Sequence, residues 1–180
     1  MERTIKSNLI YKGKIITVLK DDVLLDKDGG KEAIREVVLH NGGACALVLT
    51  KEKKIKFVKQ YRYAIKDYLI ELPAGKIDLG ENPDNTIIRE LEEEVGIIPN
   101  KIEKIGKIVL SPGFSNEFIH MYYVDDYETG NINFDEDEDL DSFDLTIDET
   151  LQMIKEGIIY DSKSVALIML LKDKLISIKK

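Results

Sequence analysis

The stretch that most constrains this chain is "NPDNTIIRELEEEVG", Asn82 to Gly96. It carries signals for both ends of a helix. Asn82 can cap, Pro83 suits the first helical position, and Gly96 suits a left-handed stop. Four glutamates fall within the eight residues from Arg89 to Gly96, and like charges three and four apart on a helix repel. At about 100° per residue, Ile87, Ile88, Leu91 and Val95 form an apolar stripe, while Glu90, Glu93 and Glu94 share an adjoining arc. A solvated acidic face would intersperse lysines, and this one offers only Arg89. Either the face is merely solvated, or it is a site for a hard divalent cation, which prefers carboxylate oxygens and turns the crowding into attraction.

The chain of 180 residues suits one domain of ordinary size, with 43% hydrophobic and 33% charged residues, a globular composition. Its net charge of −8 argues against binding nucleic acid, which needs a basic face. It leaves room for a small anionic substrate if a cation mediates. The single cysteine, Cys45, lies in the apolar run "GACALVLT" and reads as a small core residue. The first residues lack the apolar core of a signal peptide, and no apolar run approaches a membrane span. These features together predict a cytoplasmic protein with no membrane association. His40 and His120 lie in separate segments, so a histidine-rich zinc or iron site is not expected.

Elsewhere the pattern is mixed. "IITVLKDDVLLDKDGGKEAIREVVLH" reads as two strands around a Gly29-Gly30 turn, and "ACALVLTKEKKIKFVKQYR" as two more around "TKEKK". "KIEKIGKIVLS" and "EFIHMYYV" are further strands, separated by the loop "SPGFSN". Residues 125–141 are acidic and read from composition as a solvated loop. "TIDETLQMIKEGII" is a helix with capping-box spacing at Thr146 and Glu149, and "DSKSVALIMLLKDKLI" is a second, more apolar one. Strands interspersed with a few helices predict an α/β or α+β sandwich.

The segment upstream of the glutamates is decisive. "GKIDLGENPDNTIIRELEEEVGI" fits G-x5-E-x7-R-E-U-x-E-E-x-G-U, where U is aliphatic, at every defined position from Gly75 to Ile97. In a chain this long such a match arises by chance on the order of once in ten million times. The pattern is the Nudix box, and the chain resembles the Nudix hydrolases. "KQYR" and "ELPAGKID" before the box and "SPGFSNE" after it, including Pro112, resemble the ADP-ribose pyrophosphatase branch, with Asn116 where that branch often has aspartate. The likeness runs from about Lys14 to Leu171.

The resemblance implies a fold, a chemistry and a set of roles. The fold is a Nudix α-β-α sandwich with a mixed sheet (residues 43–180), plus an N-terminal antiparallel β segment (residues 1–42) through which a homodimer forms. The chemistry is Mg²⁺-dependent hydrolysis of ADP-ribose to AMP and ribose 5-phosphate, with Mn²⁺ as a possible substitute. Alternatives are another nucleoside diphosphate sugar or dinucleotide as substrate, or a non-catalytic ADP-ribose sensor, although sensors tend to lose box acids and this chain keeps them.

Glu90, Glu93 and Glu94, with the Ala74 carbonyl, would hold the metal. Glu81 and Arg89 would pair to brace the loop, with Gly75 allowing a tight turn and Gly96 and Pro112 structural. A glutamate of the "DEDEDLD" loop would deprotonate the attacking water, Glu136 ahead of Glu138, with Glu93 as the fallback. Arg62 is the favoured phosphate contact, since a guanidinium forks onto phosphate oxygens. Arg35 is either a phosphate contact or a strand-surface charge. Glu71 would orient substrate or metal-bound water. Tyr61 and Tyr63 either stack on adenine or pack in the sheet, and His120 reads as a strand residue.

Overall fold

The computed structural model describes residues 1–132 and 139–179. The chain divides into two units, Met1–Gly42 with Val109–Phe118, and Gly43–Ile108 with Ile119–Lys180. The loop carrying Pro112 therefore belongs with the N-terminal β segment.

In the first unit, β1 (Glu2–Lys12), β2 (Thr17–Leu25) and β3 (Lys31–Leu39) form an antiparallel sheet in that order. The turn between β2 and β3 needs two left-handed residues, and Gly29 (φ 67°) and Gly30 (φ 88°) supply them without a Cβ penalty. The returning loop is tied on by backbone: Val38 N–H donates to the Phe114 carbonyl at 2.7 Å, and His40 N–H donates to Asn116 Oδ1 at 2.8 Å. Asn116 thus does a backbone-pairing job open to an aspartate carboxylate as well. The unit's own faces leave Ile5, Leu9, Ile10, Tyr11 and Ile34 exposed.

The second unit begins with β4 (Gly43–Val48), buried along its whole length. Its sheet runs β7-β4-β10-β9, where β7 is Ala74–Lys76, β9 Glu103–Val109 and β10 Phe118–Val124. β4 and β10 pair in parallel, from Gly43 opposite Ile119 to Val48 opposite Val124, and a parallel pair buried on both faces reads as a continuous apolar run. A second sheet is ordered β12-β5-β6: β5 is Lys54–Arg62, β6 Asp67–Glu71 and β12 Leu140–Thr146. β4 and β5 were expected to flank one turn. They do, but beyond the Leu49–Ile55 bridge they part into different sheets.

One face of the first sheet packs on α1 (Pro83–Val95): Ala44, Ala46, Val48, Tyr122 and Val124 bury against Ile87, Leu91 and Val95, joined by Val58 and Leu140 from the second sheet. The opposite face meets α3 (Ser162–Leu170), which packs on β4, and the Lys174 ammonium of α4 (Lys172–Lys179) sits 3.6 Å from the Tyr123 ring centroid. The layers of this unit are therefore helix, sheet, helix. The apolar C-terminal stretch, expected as one helix, is interrupted at Leu171. α2 (Ile147–Lys155) opens with the expected Thr146–Glu149 capping box. The acidic stretch 125–141 is not all loop: β11 (Tyr127–Thr129) pairs antiparallel with β8 (Ile97–Pro99). Among the described residues, no helix is long and apolar enough to cross a membrane.

Candidate active site

α1 forms where its end signals place it. The Asn82 side chain accepts the Asp84 N–H, Pro83 opens the first turn, and Gly96 closes it at φ 62°. The buried residues are Thr86, Ile87, Leu91, Glu94 and Val95. Ile88, expected in the stripe, is 37% exposed, and Glu94, expected at its border, is 2% exposed. The buried arc is rotated toward the carboxylates.

That rotation brings the helix against Ala74 and Gly75. Glu94 Oε2 accepts the Ala74 N–H at 3.0 Å. A Cβ on Gly75 would lie 1.8 Å from Glu90 Oε1 and 1.9 Å from its carboxyl carbon. Gly75 is thus required by close approach rather than by a turn. The left-handed residue of the following loop is Gly80, φ 82°. The corrected reason for the first box glycine is that a carboxylate occupies the space a methyl would fill.

Arg89 answers the repulsion posed by the sequence. Its Nη1 donates to Glu90 Oε1 and to Glu93 Oε2, each at 2.9 Å, and its Nη2 lies 3.6 Å from Glu81 Oε2. One guanidinium therefore draws together two acids of the helix and one of the loop. Burial works against the Arg89 charge, but Glu90 and Glu93 outweigh it and raise its pKa above the ordinary arginine value. Glu81 also accepts the Asp78 N–H at 3.1 Å, and this backbone bond is the main cause of its lowered pKa. Glu81 thus links the loop backbone at Asp78 to Arg89 of α1.

The donor chemistry is that of a hard cation. Carboxylates at Glu90, Glu93 and Glu94 with the backbone carbonyl of Ala74 make an all-oxygen set, and the space left at Gly75 admits Glu90 to the strand. These residues fit a divalent metal. In the conformation described, Glu90 and Glu93 turn to Arg89, and among the described residues no three acids are grouped on one point.

Arg62 and Glu71 meet, though not as two substrate contacts. Arg62 Nε donates to Glu71 Oε1 at 2.6 Å and Nη2 to Oε2 at 2.8 Å. This edge of the guanidinium is occupied, leaving Nη1 as the end not engaged by Glu71. The Arg62 side chain is 39% exposed and that of Glu71 2%. Glu71 is therefore a buried carboxylate with both oxygens held from within the fold. Burial alone would raise its pKa, and Arg62 and Lys163 together hold it below the ordinary carboxylate value. Lys163, Asp161 and Ser164 at the start of α3 complete this cluster.

The remaining expectations fall elsewhere. Arg35 is on β3 in the first unit, its guanidinium paired with Glu2 at 2.5 and 2.9 Å and bonded to the Ile34 carbonyl, which is the surface-charge reading. Pro112 is exposed in the same unit. Tyr61 packs edge-on against Tyr68, with ring centroids 5.3 Å apart, and Tyr63 is 76% exposed. His120 is a half-buried strand residue of β10. Cys45 is fully buried, and burial pushes its thiol up to about 12. Glu136 and Glu138 lie outside the described residues.

Comparison with known proteins agrees with the box. Residues 39–165 match the NUDIX domain family. This chain belongs to the Nudix family. Its relatives include a "Methanol dehydrogenase activator" of Bacillus methanolicus, 42% identical over 91% of this chain and 89% of that one. An "ADP-ribose pyrophosphatase" of Bacillus subtilis (strain 168) is 36% identical over 91% and 88%. A "GDP-mannose pyrophosphatase" of Escherichia coli (strain K12) is 31% identical over 85% and 93%. Among solved structures, an "ADP compounds hydrolase" superposes with a TM-score of 0.83 at 17% identity, covering 98% of this Nudix chain and 95% of that one, which shows the shared fold. With a complete box and these relatives, the chain is a Nudix hydrolase, an enzyme class that uses divalent metal ions.

Proposed function

We propose that this Nudix hydrolase cleaves the diphosphate bond of ADP-ribose, using Mg²⁺ and accepting Mn²⁺, to give AMP and ribose 5-phosphate. The observation that carries the reading is the approach of Glu94 and Glu90 to Ala74 and Gly75, which brings the box carboxylates against a backbone carbonyl strand. Likeness to the ADP-ribose pyrophosphatase of B. subtilis over most of both chains supports the substrate. A bound divalent cation neutralises a diphosphate that the acidic chain would otherwise repel and acidifies a water.

The chain's own residues do the rest. Arg89 holds the Glu90 and Glu93 carboxylates close together. Arg62, steadied by Glu71, presents Nη1 to a diphosphate oxygen. A carboxylate of the acidic stretch, Glu136 before Glu138, takes the proton of the attacking water. The water oxygen bonds to phosphorus as the bridging P–O bond breaks, and the leaving phosphate carries away the electron pair. The enzyme works in the cytoplasm as a homodimer built on the first unit, whose exposed Ile5, Leu9 and Ile10 supply apolar surface.

A second reading, another nucleoside diphosphate sugar, is favoured by the GDP-mannose pyrophosphatase relative. A panel of ADP-ribose, GDP-mannose, other nucleoside diphosphate sugars and dinucleotides, assayed with Mg²⁺ for released mononucleotide, separates the two. AMP from ADP-ribose at the highest kcat/KM is the expected result. Preference for GDP-mannose selects the second reading, and tight ADP-ribose binding without any hydrolysis would point to a sensor.

A further inference from the structure

Beneath Arg62 lies an ionic cluster that the box does not explain. Glu71 is 1% and Lys163 8% exposed. The Lys163 ammonium donates to Glu71 Oε2, and to Asp161 Oδ2 at 3.0 Å. Asp161 Oδ2 also accepts the Ser164 N–H at 3.0 Å and its hydroxyl at 2.6 Å, and Ser164 Oγ accepts the Leu72 N–H at 2.8 Å. The first turn of α3 thus grips the Glu71–Leu72 step, just ahead of Ala74. A lysine in a first helical turn sits at the unfavourable end of the helix dipole, and a buried ammonium adds a desolvation cost. Buried ion pairs seldom stabilise more than well-packed apolar residues would. A positional role accounts for this one.

We propose that Lys163 is a positioning residue: it fixes Glu71, and Glu71 fixes the Nε/Nη2 edge of Arg62 so that Nη1 is held toward the substrate diphosphate. The inference rests on the reading of Arg62 as a diphosphate contact. Removing Lys163 leaves Glu71 with Arg62 alone and frees the carboxylate to rotate, carrying the guanidinium with it.

Two readouts on the full-length protein test this. One is the Arg62 Nε–H resonance in ¹⁵N-labelled protein without ligand. The other is the dissociation constant of a non-hydrolysable methylene analogue of ADP-ribose in saturating Mg²⁺. Lys163→Met should broaden or lose the Arg62 resonance and weaken the analogue at least about tenfold, since small misplacements of a positioned group are costly. Lys163→Arg should restore both. In an Arg62→Met background, Lys163→Met should weaken binding no further. An unchanged resonance and unchanged affinity in Lys163→Met, with only a lower melting temperature, would overturn the proposal. If Arg62→Met alone leaves affinity intact, the reading of Arg62 fails, while the resonance still decides the role of Lys163. Should Lys163→Met not fold, Asp161→Ser keeps a capping oxygen and removes one carboxylate from the ammonium. It should shift the same resonance, and no shift counts against the proposal.

Discussion

Glu94 Oε2 accepts the backbone N–H of Ala74 at 3.0 Å, from a side chain almost fully buried. One glutamate of the box is therefore a structural acceptor as well as a carboxylate proposed for the metal set. Two substitutions separate these roles. Glu94→Gln keeps a carbonyl oxygen for Ala74 and loses the charge, so turnover should fall at least about a hundredfold, roughly 2.7 kcal/mol of barrier, with the metal-free melting temperature little changed. Glu94→Ala removes the acceptor as well and should cost a further 1–3 kcal/mol or so of stability. Urea unfolding in EDTA beside kcat with saturating Mg²⁺ checks both, and near-normal turnover of Glu94→Gln would count against a metal role.

Gly75 and Gly80 should behave in opposite ways. A methyl on Gly75 meets the Glu90 carboxylate, whereas around Gly80, at φ 82°, nothing lies within 4 Å of the added carbon. Gly75→Ala should displace Glu90 and weaken Mn²⁺ binding about tenfold or more, within the usual range for disturbing a metal-site environment. Gly80→Ala should keep Mn²⁺ affinity and lose about 1 kcal/mol of stability to backbone strain. Equal Mn²⁺ affinity of the two variants by titration calorimetry would show that the Gly75 contact is irrelevant to metal.

The Glu71–Lys163 pair sets a pH signature. Glu71 has its pKa lowered from 4.5, so its contribution is complete above that value and is lost as pH falls through the folded pKa. Lys163 has its pKa raised from 10.5, with Glu71 and Asp161 outweighing burial, so its contribution is complete below that value and is lost as pH rises through the folded one. Between about pH 5 and 10 the pair should add no slope to stability. Glu71→Gln leaves the buried Lys163 with Asp161 alone and takes the carboxylate from Arg62, and should cost about 3 kcal/mol at pH 7. It should also remove up to about one proton from the slope of stability against pH on the acid limb. Urea midpoints at a series of pH values measure both effects, and an unaltered acid slope would mean that folding does not lower the Glu71 pKa.

The box and both ends of α1 were legible because the signals are local: Asn82, Pro83 and Gly96 act within one turn. The burial of Glu94 was within reach, since on an ideal wheel it sits only about 20° from Ile87. Its charge points to the border of the stripe, whereas its angle places it inside. Lys163 also had a signal, a cation in the first turn of an apolar helix. The use of Arg62 was not legible. It depends on the β5–β6 register, which sets Val58 opposite Glu71 and Arg62 opposite Asp67, and on α3 arriving from far along the chain. Gly75 was assigned to the right motif for the wrong reason, because a pattern records that a side chain is forbidden and not what occupies its place.

The acidic stretch "DEDEDLD" gives the last prediction. If Glu136 or Glu138 is the general base, the Glu136→Gln, Glu138→Gln double variant should keep its affinity for ADP-ribose while turnover falls by about 10² to 10⁴, the usual contribution of general acid–base catalysis. Among the single variants Glu136→Gln should have the larger effect, blunted if Asp137 or Asp139 substitutes in part. Single-turnover kinetics with separately measured affinity distinguishes a lost base from a lost contact. Unchanged turnover in the double variant would move the base to the helix. Glu93 is the candidate there, because its side chain is 36% exposed where that of Glu90 is 13%. A Glu93→Gln variant would then have to lose turnover while retaining Mn²⁺ binding, a combination that a metal ligand would not give.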